Sequence, residues 1–549
     1  MYFLFGCRGA KRFYFFILST RFTDHYHTCR AGTIVFLAYI HAAKVHVFHL
    51  RHPIHPIILR NSLIIIVRYM MAQKSDEVRK SIAVLLCAFL FSACSDWLDV
   101  EPDTSVDESK LFSTEQGFKD AVAGVYADMA SSSLYGQTMT FGFMDILAQQ
   151  YDYETINSMY SRFYRVADYD YEYSSNKSQI ASIWRNMYNA VAEINNILRW
   201  ADKNGGVMTE HTRHLVKGQC YLLRAYLHFD LLRMFAPDVK LSPNEKAIPY
   251  VVTFGVTPTE RETVQGVIAK VKEDIETAKA ELQGEDPIFD VVPYQIADKL
   301  LEADRYIAVA NYFAADALLA RVLLDEGKYS EAEAAARRVI ASGKFQLVDS
   351  EKSINVSADS LDLLFNDEQI FALRNQSIFD YSEDIHLGKT TETSSSGASL
   401  PLTTDIGGIY DGINDDIRLA NWVQSSTDYM VKYCRKIAKF YPKQVLIKLS
   451  EMYLIVAEAQ MRTGSGDALE TLNTLRRSRI LNASLADKGE ISESVLIGEM
   501  RREFLGEGQM FFQYKRLNTN ILNVLNEVPA SNEVFVLPLP EGEIEYGKN

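Results

Sequence analysis

Between residues 151 and 173 lie seven tyrosines: Tyr151, Tyr153, Tyr160, Tyr164, Tyr169, Tyr171 and Tyr173. A phenol is a rigid flat surface with a hydrogen-bonding tip, so such a cluster can stack on the apolar C–H faces of sugar rings. Tyr169, Tyr171 and Tyr173 alternate with Asp170 and Glu172. In an extended segment that alternation puts three rings on one side and both acids on the other. The same rings could equally pack on a scaffold, since tyrosine is often only partly buried. Tyr381, Tyr410 and Trp422, in a second long segment, are candidates for the same ligand contact.

Chemistry that turns a substrate over is harder to find. The chain holds no H-E-x-x-H, no G-x-S-x-G and no phosphate-cradling glycine loop. Past residue 93 there are four histidines: His211, His214, His228 and His386. His211 and His214 could share one helix face, but no acid or cysteine joins them at metal-ligand spacing. Glu503 and Glu507 could be imagined as the acid/base pair of a glycoside hydrolase. Beside Arg501, Arg502, Lys515 and Arg516 they read instead as structural ion pairs. Asp411, Asn414, Asp415 and Asp416 lack the loop spacing and closing bidentate Glu of a calcium site, so turn and cap roles are expected. No catalytic residue, cofactor or metal is expected.

Cys94 carries a different chemistry. Lys74, Arg79 and Lys80 precede the apolar run Ile82 to Phe91, then Ser92-Ala93 and the cysteine. That order is the anatomy of a secretory signal, and its greasy stretch is about half of the ~20 residues a bilayer crossing needs. A cysteine directly after the small pair matches a bacterial lipobox, in which the thiol is acylated and becomes the mature first residue. Phe91 stands where a branched residue is usual, with Leu90 one step out. The alternative is a buried cysteine ending a hydrophobic helix. Residues 1–70 hold seven of the eleven histidines, nine Lys/Arg and a single acid, Asp24. They read as a spurious or disordered extension, with initiation at Met70 or Met71, or else as a basic membrane-surface segment. The expected organisation is therefore an extension over 1–70, a signal peptide over 71–93 and one domain over 94–549.

From Cys94 onward 45 basic and 68 acidic side chains remain, a net charge of −23. Phosphate-backbone binding needs clustered Lys/Arg, so nucleic acid is excluded as a partner. Only Cys94, Cys220 and Cys434 remain there, so stapling by disulfides does not hold this fold together. A chain this long buries a large core without them.

Helical periodicity supplies the elements that must position the candidate residues. Ile183, Met187, Val191, Ile194 and Leu198 form one stripe, and a second face runs from Leu215 through Leu222 and Phe229 to Leu232. Further helices are expected over 263–282, 312–342, 447–463, 467–480 and 492–517. Leu319, Ala320, Leu323, Gly327, Tyr329, Ala332, Ala336 and Val339 have the spacing of a tetratricopeptide unit. Tyr453, Ala457, Ala459, Gly464, Ala468 and Leu472 repeat it more loosely. The expected fold is mainly α, a tetratricopeptide-like scaffold of about four helix pairs with long irregular loops and little β. Residues 131–177 and 377–426 are those loops, and loops of such length in a compact protein are usually functional or disordered. The tail around 533–540 reads as extended chain.

These residues also resemble a known family. Cys94-Ser-Asp-Trp-Leu-Asp-Val-Glu-Pro102 is similar to the mature start of SusD/RagB-type lipoproteins of Bacteroidetes. Leu223-Arg224-Ala225-Tyr226 with Phe229, Asp230, Leu231, Arg233 and Phe235 resembles its second-repeat helix, and Asn366 to Phe371 the start of a family strand. Glu503, Glu507-Gly508, Phe511-Phe512 and Lys515-Arg516 resemble its C-terminal signature, and Leu537 to Ile544 its closing segment. Gln509-Met510, Gln513, Leu517 and Ala236 depart from the usual pattern. The resemblance implies a lipid anchor in the outer membrane facing outward, and association with a SusC-like TonB-dependent β-barrel transporter. It also implies capture of glycan oligomers or peptides without catalysis, through loop aromatics just before the helix that Trp184 begins. A secreted glycan-cleaving enzyme and a repeat adaptor that binds only protein are the other readings.

Overall fold

A computed structural model describes residues 108–159, 161–299, 302–354, 356–357, 361–386, 399–403, 406–424, 426–434, 439–522 and 527–548. The N-terminal extension, the signal segment and Cys94 lie outside the described residues, as do Tyr160 and Thr391 to Gly397.

Eight helices stack in sequence order, each packing on the next: α1 (Glu115–Met129), α2 (Ser174–Asn204), α3 (Glu210–Phe235), α4 (Val264–Leu282), α5 (Tyr312–Asp325), α6 (Tyr329–Ala341), then α8 (Leu449–Thr463) and α9 (Ala468–Arg477). Between α6 and α8 the chain makes the shorter α7 (Ile378–His386). This is the tetratricopeptide-like scaffold the periodicity predicts. Its stripes face inward: Ile183, Met187, Val191 and Ile194 on α2 are fully buried, each burial favouring the fold by roughly 1.5–3 kcal/mol before entropy is subtracted.

Local signals set the ends of these helices. The side chains of Thr209, Thr263 and Asn311 cap α3, α4 and α5 by accepting from Thr212, Gly266 and Ala314 N–H. Gly327, at φ +73°, turns the chain from α5 into α6. Gly218 lets α3 and α4 approach, because a Cβ there would lie 2.5 Å from Leu282 Cγ. The same two helices are joined by a bidentate pair, Arg224 Nε and Nη2 each 2.7 Å from the Asp274 carboxylate. Arg321 on α5 grips Glu451 of α8 in the same way.

Little β structure accompanies the helices. β1 (Lys246–Pro249) pairs antiparallel with β2 (Arg261–Thr263), and β3 (Gln369–Arg374) with β4 (Lys443–Lys448). Two further pairs of dipeptides complete the ladders among the described residues. Cys220 is a buried thiol, and the Cys434 thiol lies 3.1 Å from the Ser382 hydroxyl.

Two expectations are corrected. Residues 492–517 are not one helix but α10 (Glu493–Glu503) and α11 (Met510–Leu517). The corner between them carries Gly506 at φ +78° and Gly508 at φ +68°, a conformation that ends a helix. The tail is extended only after a helical turn at Asn532–Phe535, and Leu537 N–H then donates to Met234 O on α3.

Candidate ligand-binding site

The two irregular segments, far apart in the chain, meet. Tyr151 and Leu402 form an antiparallel bridge. Asp152 N–H donates to Pro401 O and Thr403 N–H to Gln150 O, both at 3.0 Å. Gln137 Nε2 donates to Tyr381 O at 3.0 Å, and Arg162 pairs with Asp384 of α7 at 2.6 Å. Below them the Asp145 carboxylate accepts from Gly506 N–H (2.8 Å) and Gly508 N–H (3.0 Å), tying the first segment to the α10–α11 corner. Burial pushes the Asp145 carboxyl up to about 8 against the pull of those two N–H groups.

The tyrosine run is not extended, which corrects the alternation predicted for it. Residues 162–169 run through turns, with Tyr169 at φ +58°. Tyr173 N–H donates to the Asp170 side chain, a local bond that favours turn over strand. Tyr169 OH donates to Leu147 O at 2.9 Å, and Tyr171 OH donates to Val534 O. Tyr171 is buried, so the ring packs on the scaffold and pins the C-terminal segment. Changing Tyr171→Phe is expected to cost about 1 kcal/mol in urea unfolding, the net worth of one hydrogen bond, and to leave the fold intact. Tyr173 is the exposed member, 38% accessible. It meets Tyr164 edge to face at 5.4 Å, and the Arg165 guanidinium lies over both rings.

In the second segment Tyr410 and Trp422 are buried. Trp422 Nε1–H donates to Leu363 O at 2.8 Å, and Lys432 Nζ sits 3.9 Å from its ring centre. Neither ring offers a face to solvent. Tyr381 is half-buried on α7, and its carbonyl is the one Gln137 reaches. The geometry therefore pairs Tyr164 with Tyr173 in the first segment, joins Tyr381 to that segment only through its carbonyl, and withdraws Tyr171, Tyr410 and Trp422 into the core.

Between the first loop segment and the start of α2 lies a cavity of about 210 Å³ lined by Gln137, Thr138, Arg162, Phe163, Asn176 and Gln179, among others. Amide side chains offer both donors and acceptors, as sugar hydroxyls require. The Phe163 ring, with Arg162 4.9 Å over it, supplies an apolar wall. Sequence reasoning missed Gln137, Arg162, Phe163 and Gln179. Their only signal was position in or beside a long loop ahead of Trp184.

Glu503 and Glu507 do form structural ion pairs, with partners other than their chain neighbours. Glu503, at the end of α10, meets Arg418, Arg479 and Lys448 at 2.8–2.9 Å. Arg479 also holds Glu368, and Lys432 and Lys448 hold Glu507. Burial alone would raise the Glu503 carboxyl, but Arg479, Lys448 and Arg418 hold it well below the usual carboxylate range. Asp416 caps the turn of helix at Ile417–Trp422, and Asp411 sits in a turn paired with Lys488. His211 bonds Glu285, just past the end of α4, at 2.7 Å, and His214 bonds Glu281 of α4 at 2.6 Å.

Known proteins are similar to this chain in sequence and in fold. A family model described as "Starch-binding associating with outer membrane" matches residues 96–289, and a "SusD family" model matches 391–535. A SusD-like protein P2 of Formosa agariphila is 22% identical, over 83% of this chain and 95% of its own. A SusD-like protein of Bacteroides ovatus is 21% identical, over 85% and 89%. Among solved structures, a SusD superfamily protein from Bacteroides thetaiotaomicron superposes with TM-score 0.62 at 20% identity, covering 79% of this chain and 98% of its own. A SusD-like carbohydrate binding protein from Bacteroides vulgatus gives 0.59 at 16%, covering 79% and 96%. With the helical stack, the motif order and both family models in agreement, the chain belongs to the SusD/RagB family.

Proposed function

We propose that this protein is an outer-membrane lipoprotein, tethered through acylated Cys94 on the extracellular side, that captures oligosaccharides and passes them to a SusC-like TonB-dependent barrel. It binds without cleaving. The observation that carries the reading is the amide-lined cavity at the start of α2, two of whose lining side chains, Gln137 and Arg162, are held by the second loop segment through Tyr381 O and Asp384. A sugar there would bond Gln137 and Gln179 and rest an apolar face on Phe163. The relatives' names, SusD-like and carbohydrate binding, support this ligand class over peptide.

Calorimetry against a panel of oligosaccharides of different linkage tests the reading. One member is expected to bind saturably. The double change Gln137→Ala and Phe163→Ala is expected to weaken it about tenfold or more, the worth of one hydrogen bond with a stacking contact. Release of shorter sugars by the purified protein would establish the enzyme reading instead. Binding unchanged in the double variant would move the site elsewhere.

A further inference from the structure

A larger cleft lies away from the loops, among α1, α3 and residues 304–309. Its volume is about 490 Å³, within the roughly 300–1,000 Å³ typical of small-molecule sites. An adjoining cavity of about 290 Å³ shares Leu215, Gln219, Arg305 and Val309 with it, so the space is longer than one compact pocket. The floor is apolar: Val122 and Tyr126 from α1, Leu215 and Val216 from α3, then Ala308 and Val309.

The rim is cationic. Lys119, Arg305 and Arg374 line the cleft and are exposed. That is unusual in a chain whose net charge past residue 93 is −23. Asp304 is the one acid in the lining among the described residues, and it is fully buried between Arg374 and Lys443. Lys119 keeps one partner, Glu115, while remaining half-exposed. The Arg305 guanidinium has no partner among the described residues. Tyr126 OH, at the floor, is already satisfied, donating to Gln219 and accepting from Ala310 N–H. The charge offered to a ligand is therefore at the cationic rim, above a greasy floor.

We propose that this cleft is a second binding site, which takes a soluble amphipathic carboxylate. The apolar body lies along α1 and α3, and the anionic head pairs with Arg305, flanked by Lys119 and Arg374. The site shares no lining residue with the loop cavity, so either can fail without the other.

Titrating the protein with sodium decanoate below its micellar concentration tests the site. Saturable binding at one equivalent is expected. Arg305→Glu, at an exposed position, is expected to weaken it about tenfold or more, the worth of one charge-assisted hydrogen bond. Ala123→Trp, which fills the cleft from α1, is expected to abolish it. Decyltrimethylammonium, with the same tail and opposite charge, is expected to give no saturable heat. Circular dichroism checks that both variants fold, and if Ala123→Trp does not, Arg305→Glu decides alone. The proposal is overturned by the absence of decanoate binding, by equal binding in Arg305→Glu, or by equal binding of the cationic amphiphile.

Discussion

Glu503→Ala is expected to lower the free energy of unfolding by about 3–5 kcal/mol, the usual cost of stripping one partner from a buried ionic cluster. The carboxylate is fully buried and is shared by Arg418, Arg479 and Lys448. Removing it leaves excess positive charge in a space that water does not reach. Arg418 keeps Asp416 and Glu499, and Arg479 keeps Glu368, so the protein still folds. Glu503→Gln retains the shape and is expected to fall between wild type and Ala. Denaturant titration measures the order, and an Ala variant within 0.5 kcal/mol of wild type would refute it.

The same cluster sets the response to acid. The folded-state values of Glu503 and Glu499 lie well below the ordinary 4.5, pulled down by guanidinium groups despite burial. A carboxyl depressed on folding stabilises above its unfolded value, and that contribution is lost as pH falls through the folded value. Stability should therefore decline below about pH 4.5, less steeply in Glu503→Gln. Asp145 acts in the opposite sense. With its folded value raised by burial from 3.8 to about 8, its contribution is complete below 3.8 and fades as pH rises through 8.

Why some of this was legible in the sequence and some was not follows from range. Helical stripes such as Ile183 to Leu198, caps such as Thr209, and the turn at Gly327 are set by residues within a few positions of each other. The stack could therefore be read directly. The break at 504–509 was hidden because Phe504, Leu505, Met510 and Phe511 continue an apolar pattern across it, all of them buried. Residue type likewise could not say which aromatics face solvent. Trp422 is withdrawn by a carbonyl 59 residues earlier, and Tyr171 by one 363 residues later. The ion pairing expected of Glu503 and Glu507 is present, yet their partners are Arg418 of the second loop, Arg479 just past α9, Lys448 of β4 and Lys432 rather than adjacent arginines. Gln137 and Phe163 carried no spacing signal, since the cavity they line exists only once the loops are folded against α2.

Gly508→Ala connects that cluster to the candidate site. At φ +68° any side chain is strained by about 1–2 kcal/mol. A Cβ there would also lie 2.0 Å from Met139 O and 2.8 Å from Thr140 Cα, backbone atoms that cannot rotate aside. The loop must move, and with it go Gln137 and Thr138 and the grip of Asp145 on the corner. The expected loss is about 3 kcal/mol or more of stability, together with at least a tenfold loss of oligosaccharide binding, roughly one lost hydrogen-bonded contact. Gly124→Ala is the control: it lies inside α1, and an added Cβ there meets nothing within 4 Å. It should be neutral or stabilising by about 0.5–1 kcal/mol. Denaturation and calorimetry on both variants separate strain at one corner from a general intolerance of lost glycine. If Gly508→Ala kept full binding while losing stability, the loop carrying Gln137 would not be part of the ligand site.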